Sequence, residues 1–122
     1  MKKYNYGKIP YIFLAILFIM AVFYVLDLYT HSLSESYAVP SYYFKNKIIY
    51  GLLFMSITYF FVRKNTPLIK ALSVSTVTSI LLQINYFLEG YPLDFVFLFL
   101  VLHWVMIFIP SIITFNLLKK EL

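Results

Sequence analysis

Residues 9–26 read IPYIFLAILFIMAVFYVL, an unbroken apolar run without a charged side chain. A helix of this length rises about 1.5 Å per residue and covers about 27 Å, close to the roughly 30 Å hydrocarbon core of a bilayer. Three further apolar runs follow, so we predict helices over residues 10–29, 44–62, 68–88 and 93–117. The pattern predicts an all-α integral membrane protein. Its one domain, residues 1–122, would be an up-down-up-down bundle of four transmembrane helices.

The composition agrees with a chain immersed in lipid. Hydrophobic residues make up 62% of the chain and charged residues 12%, whereas soluble domains average about 45–50% and about 25%. The absence of cysteine removes disulfides, thiolate nucleophiles and Cys-ligated metals. Lys and Arg are scattered at the ends of the apolar runs and form no patch for nucleic acid. We therefore predict no nucleic-acid partner and no cofactor.

Basic residues set the predicted orientation. With four crossings both termini share one side, and eight basic residues would lie there: Lys2, Lys3, Lys8, Arg63, Lys64, Lys70, Lys119 and Lys120. Lys45 and Lys47 would lie on the other side, so the positive-inside rule predicts cytoplasmic termini and an outer loop over residues 30–43. The expected location is the plasma membrane of a prokaryote. Tyrosines near helix ends, among them Tyr43 and Tyr86, are expected at the headgroup level.

Small residues indicate where the helices approach one another. Residues 68–88 contain Ser73, Thr76 and Ser79, and small hydroxyl side chains let membrane helices pack closely and hydrogen-bond across their interface. We therefore predict that this helix is the centre of the bundle and that its Ser/Thr face mediates association. Gly51 is predicted to allow a second close approach.

Ionisable residues at membrane depth are the functional candidates, because they are costly to place there without a partner. Counting along the helices puts one set at the outer level: Asp27, His31, Lys45, Lys47, Asn85, Glu89 and Asp94. One interpretation is a ligand, ion or proton site, with Asp27 and His31 as weak metal candidates. The other is a set of water-facing ion pairs, Asp27 or Glu89 with a lysine. A metal site needs three or four ligands, so the second interpretation is favoured.

His103 is expected deeper in the membrane. It lies ten residues into the fourth run, about 15 Å from its start, so Asp27 would be roughly 12 Å away and the two would not share a site. At its own level we expect a hydroxyl partner on a neighbouring helix: Ser56, Thr76, Thr78 or Ser79. Such a hydrogen bond would join helices; the alternative is a proton relay or gate.

No catalytic, nucleotide-binding or metal-ligand signature accompanies these residues. The sequence therefore favours a non-enzymatic accessory or interaction subunit, an oligomer that binds lipid or a partner protein. The alternative is a small transporter or channel with an acidic outer entrance at Asp27, His31 and Glu89 that leads to His103; an intramembrane enzyme ranks third. Expected partners are the lipid bilayer and either further copies of the chain or another membrane protein.

Overall fold

The computed structural model describes residues 6–122, and this part of the chain forms four α-helices. They are α1 (Ile9–His31), α2 (Tyr42–Val62), α3 (Pro67–Leu88) and α4 (Leu93–Leu117). Short 3-10 helices cover Tyr6–Lys8 and Glu35–Tyr37. The all-helical class is confirmed, and α1 ends two residues later and α2 begins two residues earlier than predicted. Lys2 and Lys3, which entered the predicted orientation, lie outside the described residues.

Three of the helices within residues 6–122 are long and apolar enough to cross a membrane, namely α1, α3 and α4. These helices indicate a membrane protein. The remaining helix, α2, is shorter and less apolar because Lys45, Asn46 and Lys47 lie in its first two turns. Lys47 is buried inside the bundle, so its charge does not face the surroundings of the helix.

Local sequence signals set the turns between the helices. The Thr66 hydroxyl accepts a hydrogen bond from the Ile69 N–H at 3.4 Å, and Pro67 occupies the first position of α3, where its missing N–H is no loss. Gly90 makes the turn into α4 with φ +87°, a region that disfavours residues with a Cβ. Turns this short make α2 and α4 antiparallel neighbours of α3.

The helices pack in a ring that follows chain order. Among the described residues α1 packs against α2 and α4, and α3 packs against the same two helices. No helix is therefore central, and the prediction of a central third helix is wrong. On α3, Ser75, Thr78 and Ser79 are buried in the bundle, while Ser73 is half-buried and Thr76 is exposed. Ser75 and Ser79 donate to carbonyls of their own helix rather than across an interface.

The interior has two parts. At the end that holds the α1–α2 and α3–α4 connections, here the connection end, the core is an aromatic cluster of Tyr43, Tyr86, Phe95 and Phe99 with Val96. Toward the other end, the terminal end, the core contains Met20, Met55, Ile107 and Phe115 among other apolar residues. Tyr43 and Tyr86, which are predicted to lie at the headgroup level, are buried between the helices, each at most 2% exposed.

Gly51 lies where α1 and α2 approach. It is buried, and a Cβ built on it would collide with the terminal methyl of Met20. The missing side chain therefore leaves room for Met20 between the two helices.

Candidate functional site

A cluster of ionisable side chains lies in the bundle interior near the connection end. Each of the four helices contributes at least one member: Asp27 and His31 from α1, Lys47 from α2, Tyr86 from α3 and His103 from α4. All five residues are buried, with at most 5% of their surface exposed. We call these five residues the charged cluster.

The Asp27 carboxylate is the centre of the charged cluster. Lys47 Nζ donates to its Oδ2 at 2.7 Å, and His103 Nε2 lies 2.9 Å from its Oδ1. His31 Nε2, one helical turn further along α1, lies 3.3 Å from the same Oδ1. One carboxylate thus joins three helices.

The position of His103 corrects the sequence-based prediction that it lies roughly 12 Å from Asp27. That count assumed that α1 and α4 begin and end at one level. The ring of Phe99 stacks on His31, with the centroids 4.2 Å apart and the planes 3° from parallel. The first turns of α4 therefore extend beyond the end of α1. Because the helices are antiparallel, His103, one turn after Phe99, meets Asp27, one turn before His31.

The remaining members of the predicted polar layer do not join the charged cluster. Lys45, Asn85, Glu89 and Asp94 are exposed. Asp94 instead accepts a hydrogen bond from the Phe95 N–H at the start of α4, at 3.0 Å. The predicted pairing of Asp27 with a lysine is confirmed for Lys47, but the pair is buried and does not face water.

In the described part of the chain, none of the hydroxyl groups predicted as partners of His103 bonds to it. Ser56 donates to the Leu52 carbonyl, and Thr76 accepts a hydrogen bond from the Trp104 indole at 3.0 Å. The Thr78 hydroxyl has no hydrogen-bond partner among the described residues. His103 bonds to Asp27, so the prediction of a hydroxyl partner for it is wrong.

Hydrogen-bond partners assign the protons of the two imidazoles. His31 Nδ1 lies 2.6 Å from the Tyr37 carbonyl oxygen, so it must carry a hydrogen, and Nε2 of the neutral ring is a lone-pair acceptor. Two donors approach that lone pair, Lys47 Nζ at 3.1 Å and Tyr86 Oη at 3.2 Å. His103 Nε2 must carry a hydrogen because the Asp27 carboxylate can only accept. His103 Nδ1 has no hydrogen-bond partner among the described residues.

Three members of the charged cluster have the side chains that a metal site uses. Asp27, His31 and His103 offer ligand atoms within 4.8 Å of one another, so a histidine from α4 joins the predicted metal candidates Asp27 and His31. However, Lys47 Nζ lies 2.7 Å from Asp27, 3.1 Å from His31 and 3.3 Å from His103. The ammonium group occupies the place that a bound cation would take. The three residues therefore fit a tethered ammonium better than a metal ion.

Sequence reasoning missed two polar side chains of α3. Tyr86 places its hydroxyl at His31 and its ring 4.9 Å from Lys47 Nζ. Gln83, one turn earlier on the same face, is buried and donates to the Val96 carbonyl at 2.7 Å. Their i,i+3 spacing was the signal available, since it marks one polar stripe facing the bundle. The Tyr37 carbonyl, a backbone group, leaves no such signal.

Aromatic side chains cover the charged cluster on the side of the α1–α2 connection. Phe99 stacks on His31, and the Tyr37 ring packs edge-on against Phe99 at 5.5 Å. Tyr37 itself belongs to the 3-10 helix Glu35–Tyr37, which the Ser34 hydroxyl caps by accepting from the Ser36 N–H. The connection thus serves both as a covering layer and as the acceptor for His31.

A groove between α2 and α3 reaches the charged cluster from the side. Its volume is about 410 Å³, and Lys47 and Tyr86 line it as well as belonging to the cluster. Polar lining comes from the amides of Asn46 and Asn85, and the remaining lining includes Tyr50, Phe54, Leu81 and Ile84. The groove is therefore amphipathic, and Lys47 and Tyr86 form part of its wall.

No protein-family model, curated protein or solved structure matches the chain significantly. The charged cluster and the groove are therefore the features that bear on function.

Proposed function

We propose that the protein is a small membrane transporter or channel that moves protons through the charged cluster. One observation carries this proposal: Asp27 and Lys47 already neutralise each other, yet two histidines lie within hydrogen-bond distance of the same pair. Charge balance requires only the ion pair between Asp27 and Lys47. The histidines add proton-accepting groups that balance does not need, and histidine is the side chain best suited to exchange protons near neutral pH.

Stability is a weaker explanation for the charged cluster. Replacing a buried ion pair with well-packed apolar residues commonly leaves the stability of a protein unchanged or raises it by about 1–4 kcal/mol. Ionisable groups at membrane depth are costly and mark ion pathways and proton relays. Five such residues on four helices therefore favour a role in moving charge.

The geometry allows a short proton path. His31 can take a proton at Nε2, where the resulting N–H faces Asp27 Oδ1 at 3.3 Å. The Tyr37 carbonyl keeps the other ring hydrogen in place. His103 Nε2 shares Oδ1 of the same carboxylate at 2.9 Å. A proton taken up at the lone pair of His103 Nδ1 lets His103 release its Nε2 hydrogen to Asp27 Oδ1, and Asp27 can pass that hydrogen to the lone pair of His31 Nε2. One N–H or O–H bond is broken for each one formed.

The proposed topology has four crossings with both termini in the cytoplasm of a prokaryote. Burial of Lys47 supports α2 as the fourth crossing, because the ammonium group is paired with Asp27 and is not presented to lipid. We also propose an oligomer, since one four-helix bundle encloses little volume.

Proton flux into proteoliposomes tests the proposal. The purified chain is reconstituted with an entrapped pH-sensitive dye, and a potassium gradient with valinomycin drives protons inward. We expect acidification that Asp27→Asn and His103→Ala abolish and that Asp94→Asn, an exposed acid, leaves unchanged. Size-exclusion profiles and helical circular dichroism of each variant exclude misfolding as the cause. Flux no higher than in protein-free vesicles, or equal flux in folded Asp27→Asn, would overturn the proposal.

The accessory-subunit function favoured by sequence has less support as a mechanism. Of the residues predicted for its association face on α3, Ser79 is buried inside the bundle and Ser73 is half-buried. Thr76 remains exposed at the edge of that face, next to Trp104. Mass measurement of the detergent-solubilised protein tests this alternative, because a monomer without retained lipid or partner counts against it.

A further inference from the structure

We infer that the groove between α2 and α3 binds a single-chain amphiphile with a carboxylate head, held at Lys47 and Tyr86, and an apolar tail along the groove. The inference rests on the proposed function, because it names the ligand class for the same cluster. The amphiphile would enter through the α2–α3 groove.

The donors of Lys47 and Tyr86 outnumber the acceptor atoms that lie against them, which are Asp27 Oδ2 and His31 Nε2. Lys47 carries three N–H groups, Tyr86 one O–H and His103 one Nε2–H. The nearby acceptors are Asp27 Oδ2, used by Lys47, Asp27 Oδ1, used by His103, and the single lone pair of His31 Nε2. Either Lys47 or Tyr86 can use that lone pair, which leaves the other with a spare donor. The spare donors thus belong to the two residues that also line the groove.

The remaining lining of the groove suits an apolar tail. Tyr50, Phe54, Leu81 and Ile84 present mainly hydrocarbon and aromatic surface, with Asn46 and Asn85 as additional polar contacts. The volume of about 410 Å³ lies in the range of small-molecule sites, roughly 300–1,000 Å³. A groove with donors at one wall and apolar sides elsewhere matches an anion with a hydrocarbon chain.

Charge balance links binding of the anion to uptake of a proton. With Asp27 and Lys47 paired, the cluster is neutral, so an added carboxylate would leave one uncompensated negative charge. A proton on His31 Nε2 restores neutrality. The ionisable groups that face His31 are Asp27 on α1, Lys47 on α2, Tyr86 on α3 and His103 on α4, together with the Tyr37 carbonyl of the connection. A phosphate monoester, with about two negative charges, would exceed this balance.

Binding of radiolabelled laurate to the protein in lipid nanodiscs tests the inference. Uptake by empty nanodiscs is subtracted, and dodecyl phosphate and dodecyltrimethylammonium, which have the same tail, are the headgroup competitors. We expect laurate to bind more tightly as the pH falls from 8 to 6 and to be displaced by neither competitor at equal concentration. Displacement by the ammonium compound, or binding independent of pH, would overturn the inference.

Matched variants separate the head and tail contacts. Lys47→Met is expected to weaken laurate binding at least tenfold, and Lys45→Met, an exposed lysine on the same helix, to leave it unchanged. The double variant Asp27→Asn/Lys47→Met removes both charges and keeps the cluster neutral. It replaces the single variant if Lys47→Met does not fold. We expect it to lose laurate binding as well. Retention of wild-type affinity in either folded variant contradicts the assignment of the head to Lys47.

A tail variant distinguishes failure of this inference from failure of the proposed function. Leu81→Trp narrows the groove at a residue that does not belong to the charged cluster. We expect it to abolish laurate binding while valinomycin-driven proton flux persists. Proton flux without laurate binding in the wild type would refute the ligand and leave the transporter standing. Laurate binding without proton flux would refute the transporter and leave the site.

Discussion

The interior side chains at the two ends of the bundle are buried to the same extent but differ in chemical type. At the connection end the interior holds Asp27 and His103, exposed by 1% and 0%, whereas toward the terminal end Met55 and Ile107 are exposed by 0%. Polar groups occur there as well, chiefly hydroxyls and Lys70, whose ammonium lies 5.2 Å from the Tyr59 ring centroid. Among residues 6–122 the terminal end closes without a buried carboxylate or histidine, so closure of a bundle end does not require the groups found at the connection end.

The largest expected effect is that of Asp27→Asn at the connection end. It leaves the buried Lys47 ammonium without its counter-ion, which costs about 3–5 kcal/mol. The free energy of unfolding, measured by reversible SDS titration in mixed micelles, reports the loss. Asp94→Asn is the control and should stay within about 0.5 kcal/mol of the wild type. Equal unfolding free energies of Asp27→Asn and Asp94→Asn would contradict the view that the connection end depends on a buried ion pair.

Met55→Ala at the terminal end is expected to cost about 2–5 kcal/mol, because it opens a cavity in an apolar core. The same titration measures the loss, and Leu53→Ala, on the exposed face of α2, is the control. Unlike Asp27→Asn, Met55→Ala should leave proton flux per folded molecule unchanged. Loss of flux in folded Met55→Ala would show that the two ends are not functionally separate.

Gly51→Ala tests the approach of α1 and α2 between the two ends. The new methyl collides with the end of Met20, a flexible side chain, so we expect a cost of about 1 kcal/mol, at the low end for overpacking. Met20→Ala should relieve the collision. The double variant is therefore expected to be more stable than the sum of the single changes predicts, and strict additivity in the SDS titration would contradict the close approach.

Gly90→Ala in the α3–α4 turn is expected to have an effect of similar size to that of Gly51→Ala. A Cβ at this position meets no atom within 4 Å in the described part of the chain, so the cost is that of the positive φ alone, about 1 kcal/mol. Gly90→Asn should cost less, because asparagine adopts this region more readily. Alanine and asparagine variants with unchanged unfolding free energies would argue against the turn geometry.

The fold class followed from the sequence because long apolar runs and breaks at Pro67 and Gly90 are local signals. The register between helices did not, because it depends on how far each helix end extends. Phe99 stacks on His31, the last residue of α1, so α4 begins more than one helical turn beyond the end of α1. This offset places His103 beside Asp27.

Exposure was the other property that the sequence could not supply. Lys45 and Lys47 are two residues apart and look alike in the sequence, yet one is exposed and the other is buried. The helical period puts them on different faces of α2, and which face meets α1 is decided by packing. For the same reason, the sequence did not distinguish Tyr86 from the other tyrosines, of which the chain has twelve in all.

A double-mutant cycle between Asp27 and His103 tests the shared cluster most directly. The unfolding free energies of Asp27→Asn, His103→Leu and the double variant are compared with that of the wild type in mixed micelles. Direct contact predicts an interaction energy of about 0.5–3 kcal/mol. Effects that add to within about 0.3 kcal/mol would mean that the two side chains do not meet, and the charged cluster would then not exist.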